Sequence, residues 1–373
     1  MTFLVNGQNL ANRYFSTALF SADNNLYSCG YNNYGQLGLN TTTNYSSTVQ
    51  VGNTSVWSTI ACGASHTLSI QSNGTLWAWG LNSFGQLGTS NQTNYSSPVQ
   101  IGTVNTWVAI SSQSQFSMAI RINGTLWAWG LNTYGQLGTN NTLNYSTPTQ
   151  VGSNNYWTSV ACGYYHTAAI QSPGTLWAWG LNSYGQLGTS NQTNYSSPVQ
   201  IGIISNWTSV ACGTAHTAAI QSNGTLWSWG NNSYGQLGTS NQTNYSSPVQ
   251  VGLLSTWTNI TVAGYFTAAI QFPGTLWLWG NNSYGQLGTS NQTNYSSPVQ
   301  LGTSTDWIRF ACGYQHMTAI QNNSTLWSWG NNSYGQLAQA NQTNIFSPAQ
   351  VGSLNKWNNV SCGQFFTMTL QIT

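Results

Sequence analysis

Evenly spaced histidines and cysteines are the side chains from which this sequence could build chemistry. His66, His166, His216 and His316 share one repeat position, and Cys62, Cys162, Cys212, Cys312 and Cys362 share another. Recurring imidazoles and thiols are the raw material of a metal site. The substitutions at those positions point elsewhere. Phe116, Phe266 and Phe366 stand at the histidine position in other repeats, and Ser112 and Val262 at the cysteine position, so both read as packing sites. Equivalent points on successive repeats are related by rotation and need not face one another as a disulfide demands. The sixth cysteine, Cys29, takes a place that tryptophan holds in the other repeats.

Catalysis has few parts to draw on. The chain contains no Glu, and its two Asp, Asp23 and Asp306, fall in different repeats, which leaves no pair of acids for general acid–base work. A triad of Asp306, His316 and a nearby Ser has no spacing to recommend it. With one Lys and no Gly-x-x-x-x-Gly-Lys-Ser/Thr, a phosphate-cradling loop is excluded. The expectation is a non-enzyme with no catalytic residue, no cofactor and no metal.

Charge narrows the partners. Charged residues make up 2% of the 373-residue chain, against about 25% in ordinary domains. Arg13, Arg121, Arg309 and Lys356 are too few and too scattered to neutralise phosphates, so nucleic acid is not expected as a partner. No apolar run approaches the roughly 18–20 residues that span a bilayer, so membrane insertion is not expected either. Disorder is excluded by 19 Trp and 20 Tyr. An uncharged polar surface lacks the like-charge repulsion that keeps proteins apart, which favours an assembled or extracellular object. The start, MTFLVNGQNLANRYF, has neither the basic region nor the apolar length of a signal peptide.

The elements that position these residues come from a repeat. LWAWG at 76–80 returns every 50 residues to LWSWG at 326–330, and LYSCG at 26–30 is a degenerate copy, making seven. Within residues 57–102, WSTIAC, HTLSI and TLWAW read as three strands and SSPVQIG as a weaker fourth. Asn73-Gly74, Asn123-Gly124 and Asn223-Gly224 predict type I′ hairpin turns; Pro173-Gly174 and Pro273-Gly274 predict a different turn. Four strands per period of about 50 residues predicts an all-β, seven-bladed β-propeller of four-stranded blades, one domain over residues 1–373. Every Trp falls on a repeat position, and packing between blades is the role expected of them.

Cys-Gly-x-x-His-Thr at 162–167 and 212–217, followed by Gly-Thr-Leu-Trp-x-Trp-Gly-x-Asn-x-Tyr-Gly-Gln-Leu-Gly at 174–188, resembles the repeat of the regulator of chromosome condensation family. The resemblance runs from about residue 9 to residue 373. It implies a seven-bladed propeller. The family's founding members bind chromatin and promote nucleotide exchange on a small GTPase, while many relatives are interaction platforms. The shortage of charge disfavours the founders' role for this chain.

Two further features bear on function. Thr-Ser-Asn-Gln-Thr-Asn-Tyr-Ser-Ser-Pro is identical at 89–98, 189–198, 239–248 and 289–298. Recent duplication accounts for such uniformity. A shared task would make Asn91, Asn94, Tyr95, Asn191, Asn194, Tyr195, Asn241, Asn244, Tyr245, Asn291, Asn294 and Tyr295 a ring of interaction loops for neighbouring subunits or neutral glycans. Several of these Asn also match the Asn-x-Ser/Thr acceptor pattern of glycosylation. The second feature is at the ends. YFSTALF at 14–20 and FFTMTL at 365–370 are candidates for one strand slot. The C-terminal segment, 351–373, keeps the full repeat pattern and is expected to close the ring beside LYSCG. Residues 1–20 are then surplus, with Tyr14, Phe15, Leu19 and Phe20 available to a donated strand. The expected function is a structural or interaction propeller, self-assembling or exposed on a virion, envelope or extracellular filament; the alternative is a multivalent lectin.

Overall fold

In the computed structural model, which describes residues 24–373, each repeat becomes an antiparallel four-stranded blade. The first complete one consists of β3 (Trp57–Cys62), β4 (His66–Gln71), β5 (Leu76–Gly80) and β6 (Tyr95–Gln100). Five more blades of the same order start at Trp107, Trp157, Trp207, Trp257 and Trp307. The seventh joins the two ends of the described chain: β27 (Trp357–Cys362) and β28 (Phe366–Ile372) pair with β1 (Asn24–Gly30) and β2 (Tyr45–Gln50). β28 lies antiparallel to β1 without a break, from Asn24 opposite Ile372 to Gly30 opposite Phe366. The ring is therefore closed by the C-terminal strands, as expected. The segment with Tyr14, Phe15, Leu19 and Phe20 lies outside the described residues.

The first strand of each blade touches the first strands of the blades on either side, from β3 round to β27 and back to β3, so these strands surround the axis. Alternation along the third strand sets the packing: Leu76 and Ala78 bury one face of β5, and Trp77 and Trp79 the other. Trp79 enters the cluster of the preceding blade, with Leu26, Leu37, Trp57 and Phe366, which is the inter-blade role expected of it. In the six blades with a Trp pair, the Trp that opens the first strand stands edge-on to both members; Trp57 makes angles of 81° with Trp77 and 62° with Trp79. Its indole N–H is buried with no oxygen or nitrogen acceptor, as in all seven repeats, and the recurring edge-on geometry leaves the π faces as its partners.

The family-type signature Gly-Gln-Leu-Gly is a clasp between neighbouring blades. The carbonyl of Gln86 accepts the indole N–H of Trp129 at 2.9 Å and the hydroxyl of Ser117 at 2.8 Å, both from the next blade. Ser90 N–H donates to the carbonyl of Ser146, also in that blade. Gly88 packs on the Trp129 ring so closely that a Cβ would lie 3.0 Å from Nε1. The last clasp, from Gln336 and Ala340, grips Thr367 and Ser46 of the closing blade.

One local expectation needs correction. The Asn-Gly hairpins are not type I′, because only the glycine, at φ +82° for Gly74, is left-handed. Gly74 N–H donates to the carbonyl of Gln71, and Gln71 N–H to that of Thr75. That is a three-residue loop, a type I turn followed by a left-handed Gly. Asn73 supplies its side-chain oxygen to Thr75 N–H and hydroxyl instead of a positive φ. The Pro173 and Pro273 turns do differ, each containing a cis peptide bond.

Candidate functional site

The histidines and cysteines are used up inside the seams. His166 is fully buried, and its Nε2 lies 2.9 Å from the hydroxyl of Thr217 in the next blade. Because Thr217 gives its own proton to the carbonyl of Gln186, the imidazole is the donor. His216 meets Thr267, and His316 meets Thr367, in the same way. His66 meets Ser117. A Cβ on Gly163 would fall on the His166 ring, which explains the Cys-Gly-x-x-His spacing. Burial holds all four imidazoles neutral, at a pKa of about 3. All six cysteines are free and buried. Burial raises the Cys362 thiol to about 11 and Cys212 to about 12. Among the described residues no three His, Cys, Asp or Glu side chains gather as a metal site would require. Asp306 accepts from Ser304 in the link before Trp307, whereas His316 begins the next strand at the blade's other end, so no triad forms.

The uniform loops also spend their side chains internally. Asn82, fully buried, donates to the carbonyls of Asn91 and Thr93 and accepts from Leu87 N–H. Asn94 accepts from Asn82 N–H, and Asn91 accepts from Thr93 N–H and donates to the hydroxyl of Tyr95. The same bonds recur for Asn194 with Asn182, Asn244 with Asn232 and Asn294 with Asn282, and for Asn191, Asn241 and Asn291 with Tyr195, Tyr245 and Tyr295. The repeated sequence is thus a hydrogen-bonded cage, which fixes most of its side chains without any ligand.

The repeats diverge in the links before the first strands and also on the other face, formed by the loops after the first and third strands. There the residues before the histidine position change from blade to blade: Ala64-Ser65, Tyr164-Tyr165, Thr214-Ala215, Tyr314-Gln315 and Gln364-Phe365 among them. Backbone bonds between blades hold these loops, Tyr164 N–H to Gly213 and Thr214 N–H to Gly264. Their aromatic rings meet edge-on: Tyr164 and Tyr165 at 4.7 Å and 86°, Tyr265 and Tyr314 at 6.2 Å and 68°. Tyr184 and Tyr234, both exposed, add the flanks of a groove of about 530 Å³. Burial, then the neighbouring phenol of Tyr265, push Tyr314 up to about 12. Sequence reasoning missed this groove. Its signal was the break in the repeat at residues 164–165, 265 and 314.

Among the described residues, that face carries no charged side chain. Among the described residues Arg121 ends a second strand, Asp306 and Lys356 sit in links before first strands, and Arg309 lies two residues into one. All belong to the opposite face or the strand ends nearest it. Arg121 is moreover folded over the rings of Trp107 and Trp127, at 4.6 and 3.8 Å.

Comparison with known proteins agrees with this architecture. The model of the RCC1-like domain matches residues 8–317, and that of the regulator of chromosome condensation (RCC1) repeat matches residues 323–370. No curated protein sequence matches the chain. Among solved structures, human WBSCR16 superimposes with a TM-score of 0.84 at 21% identity, covering 94% of this chain and 99% of that one. Yeast RCC1 (Prp20), solved bound to Kap60, gives 0.87 at 19% identity, covering 100% of this chain and 94% of that one. A second structure of Prp20p from Saccharomyces cerevisiae, described with its binding to Gsp1p and histones, gives 0.86 at 20% identity, covering 100% and 96%.

Proposed function

The chain belongs to the RCC1-like domain family, and from that premise we propose that it is a non-enzymatic protein-interaction platform working through its charge-free tyrosine face. One observation carries the reading: among the described residues the face combines Tyr, Asn, Ser and Gln with no charged side chain, and Tyr164, Tyr165, Tyr265 and Tyr314 sit where the repeats diverge. Tyr supplies large, rigid, amphipathic contact area at low entropic cost, and short polar residues supply adaptable hydrogen bonds, the composition used by antibody binding loops. The partner is a protein surface without strong charge, a second copy of this chain included. That accords with a self-assembling or surface-exposed component.

The lectin alternative relies on the repeated loops, whose Asn side chains are already bonded to one another, and is less well supported. The histone and Gsp1p binding described for Prp20p is not carried over, because a low-identity likeness transfers fold and not a site.

Photo-cross-linking tests the proposal. A benzoylphenylalanine probe at position 184 is expected to give discrete protein adducts in the cells that make the protein, and the same probe at 253, on the opposite face, none. Identical adduct patterns from the two positions would remove it. An adduct of twice the chain's mass identifies a second copy as the partner.

A further inference from the structure

The groove between the tyrosines has a chemistry specific enough to name a ligand class. Its sides are Tyr164, Tyr165, Tyr184, Tyr234, Tyr265 and Tyr314. Tyr164 and Tyr165 pack edge to face at 86° and Tyr234 and Tyr265 are tilted at 51°, which makes ridges with slots between them. The inter-blade backbone bonds at Tyr164 and Thr214 fix the loops beneath, so the slots exist before any ligand arrives. The phenols offer O–H donors along the walls. The amide acceptor beside them is occupied: Asn231 Oδ1 takes the side-chain N–H of Gln236 at 2.6 Å and the backbone N–H of Ser233 at 3.3 Å.

A wall of aromatic ridges and hydroxyl donors, with no charge among the described residues, suits a ligand that brings flat apolar rings and carbonyl oxygens. An ordinary extended peptide brings one N–H per residue, and each would need an acceptor from the few the groove holds, the phenol oxygens and the buried hydroxyl of Thr214. A charged peptide would lose hydration with no counter-charge to replace it. A proline-rich segment meets every condition. It lacks backbone N–H groups, its carbonyls point outward, and its polyproline II helix of three residues per turn is formed before binding. Resting on the interaction reading above, we propose that this groove binds an uncharged proline-rich segment of a partner protein in the polyproline II conformation.

Titration calorimetry of the full chain with a capped decaproline peptide tests this, with capped Gly-Ser decapeptide and maltoheptaose as comparison ligands. Decaproline is expected to bind saturably and the other two not. Tyr265→Ala is expected to weaken binding at least tenfold. Tyr165→Phe, which keeps the ring and the fold, should weaken it about fivefold through loss of one donor. Tyr156→Ala on the opposite face should leave it unchanged. The proposal is overturned if decaproline does not bind at millimolar concentration, if Tyr165→Phe and Tyr265→Ala bind as the parent does, or if maltoheptaose binds instead. Should decaproline fail while the position-184 cross-links persist, the platform stands and the proline class falls; loss of both removes both.

Discussion

Ala338 and Cys29 meet in the one seam of the ring to which the third strand brings no indole. The other six seams pair a glycine with a tryptophan, from Gly38 against Trp79 to Gly288 against Trp329, and a Cβ on any of those glycines would lie 2.7 to 3.0 Å from Nε1. Where Cys29 replaces the large ring, the clasping residue has gained a methyl group, and the thiol rests 3.6 Å from the carbonyl of Gln336. Both partners have changed in this seam, the smaller one growing where the larger one has shrunk. This complementarity makes a prediction for double substitution. Cys29→Trp alone should be destabilised by about 1–3 kcal/mol through overpacking. Adding Ala338→Gly should recover most of that, with a coupling of at least about 1 kcal/mol. Urea midpoints of the two single variants and the double variant measure the cycle; simple additivity would show that the two positions do not share the seam.

The buried histidines set the acid limit. Each has a pKa of about 6.5 when unfolded and about 3 when folded, so the unfolded chain binds more protons between those values. Stability is therefore complete above about pH 6.5 and falls as pH drops through that window. With four such groups the slope approaches roughly 5 kcal/mol per pH unit near pH 5. His166→Phe borrows the residue that Phe116 and Phe366 already supply opposite Thr167 and Thr67, and should reduce the slope by about a quarter. At the alkaline end the raised thiols Cys212 and Cys362 act in the opposite sense, and stability declines as unfolded thiols ionise above about pH 8.5. Urea midpoints from pH 4 to 10 report both limbs; a flat profile from pH 7 to 4 contradicts the acid one.

The loop cage predicts unequal tolerance within one repeat. Asn232→Ala removes donors to Asn241 and Thr239 and the acceptor of Leu237 N–H, all from a fully buried side chain. A cost of about 3 kcal/mol is expected, with faster amide exchange at Leu237. Gln242→Ala, at an exposed position of the same loop, should stay within about 0.5 kcal/mol. Equal effects at the two positions would mean that the cage contributes nothing to the loop.

Much of this was legible in the sequence because every blade obeys one pattern. The 50-residue period, the Trp pairs and the duplicate strand at 365–370 led to the blade count, the seams and the closing strand. The turn at Asn73-Gly74 was misread, because the dipeptide suits two hairpin classes and only the pairing of Gln71 with Thr75 decides between them. The repeated Asn-rich loops looked like shared binding surfaces, since nothing in a linear sequence shows that Asn91 and Asn94 bond back to residues 82 and 95. The tyrosine groove was invisible for a different reason. Its residues come from four blades, and Tyr164, Tyr165, Tyr265 and Tyr314 are exceptions to the repeat that organised the reading, whereas Tyr184 and Tyr234 are regular members of it.

Proline tolerance should separate the outer edge of a blade from its middle. Six blades carry a proline in their outermost strand, from Pro98 to Pro348, where one side of the strand has no partner and a missing N–H costs nothing. The seventh has Thr48 in the equivalent place, in β2. Thr48→Pro should therefore be neutral or stabilising by up to about 1 kcal/mol, through a less flexible unfolded chain. Thr369 sits in β28, paired with Val360 on one side and with Tyr27 on the other. Thr369→Pro removes a ladder bond from the strand that holds the two ends of the described chain together, at a cost of about 3 kcal/mol or more. Thermal melts are expected to show an unchanged or raised midpoint for the first and a lowered or broadened transition for the second. If Thr369→Pro melts like the parent, β28 does not close the ring.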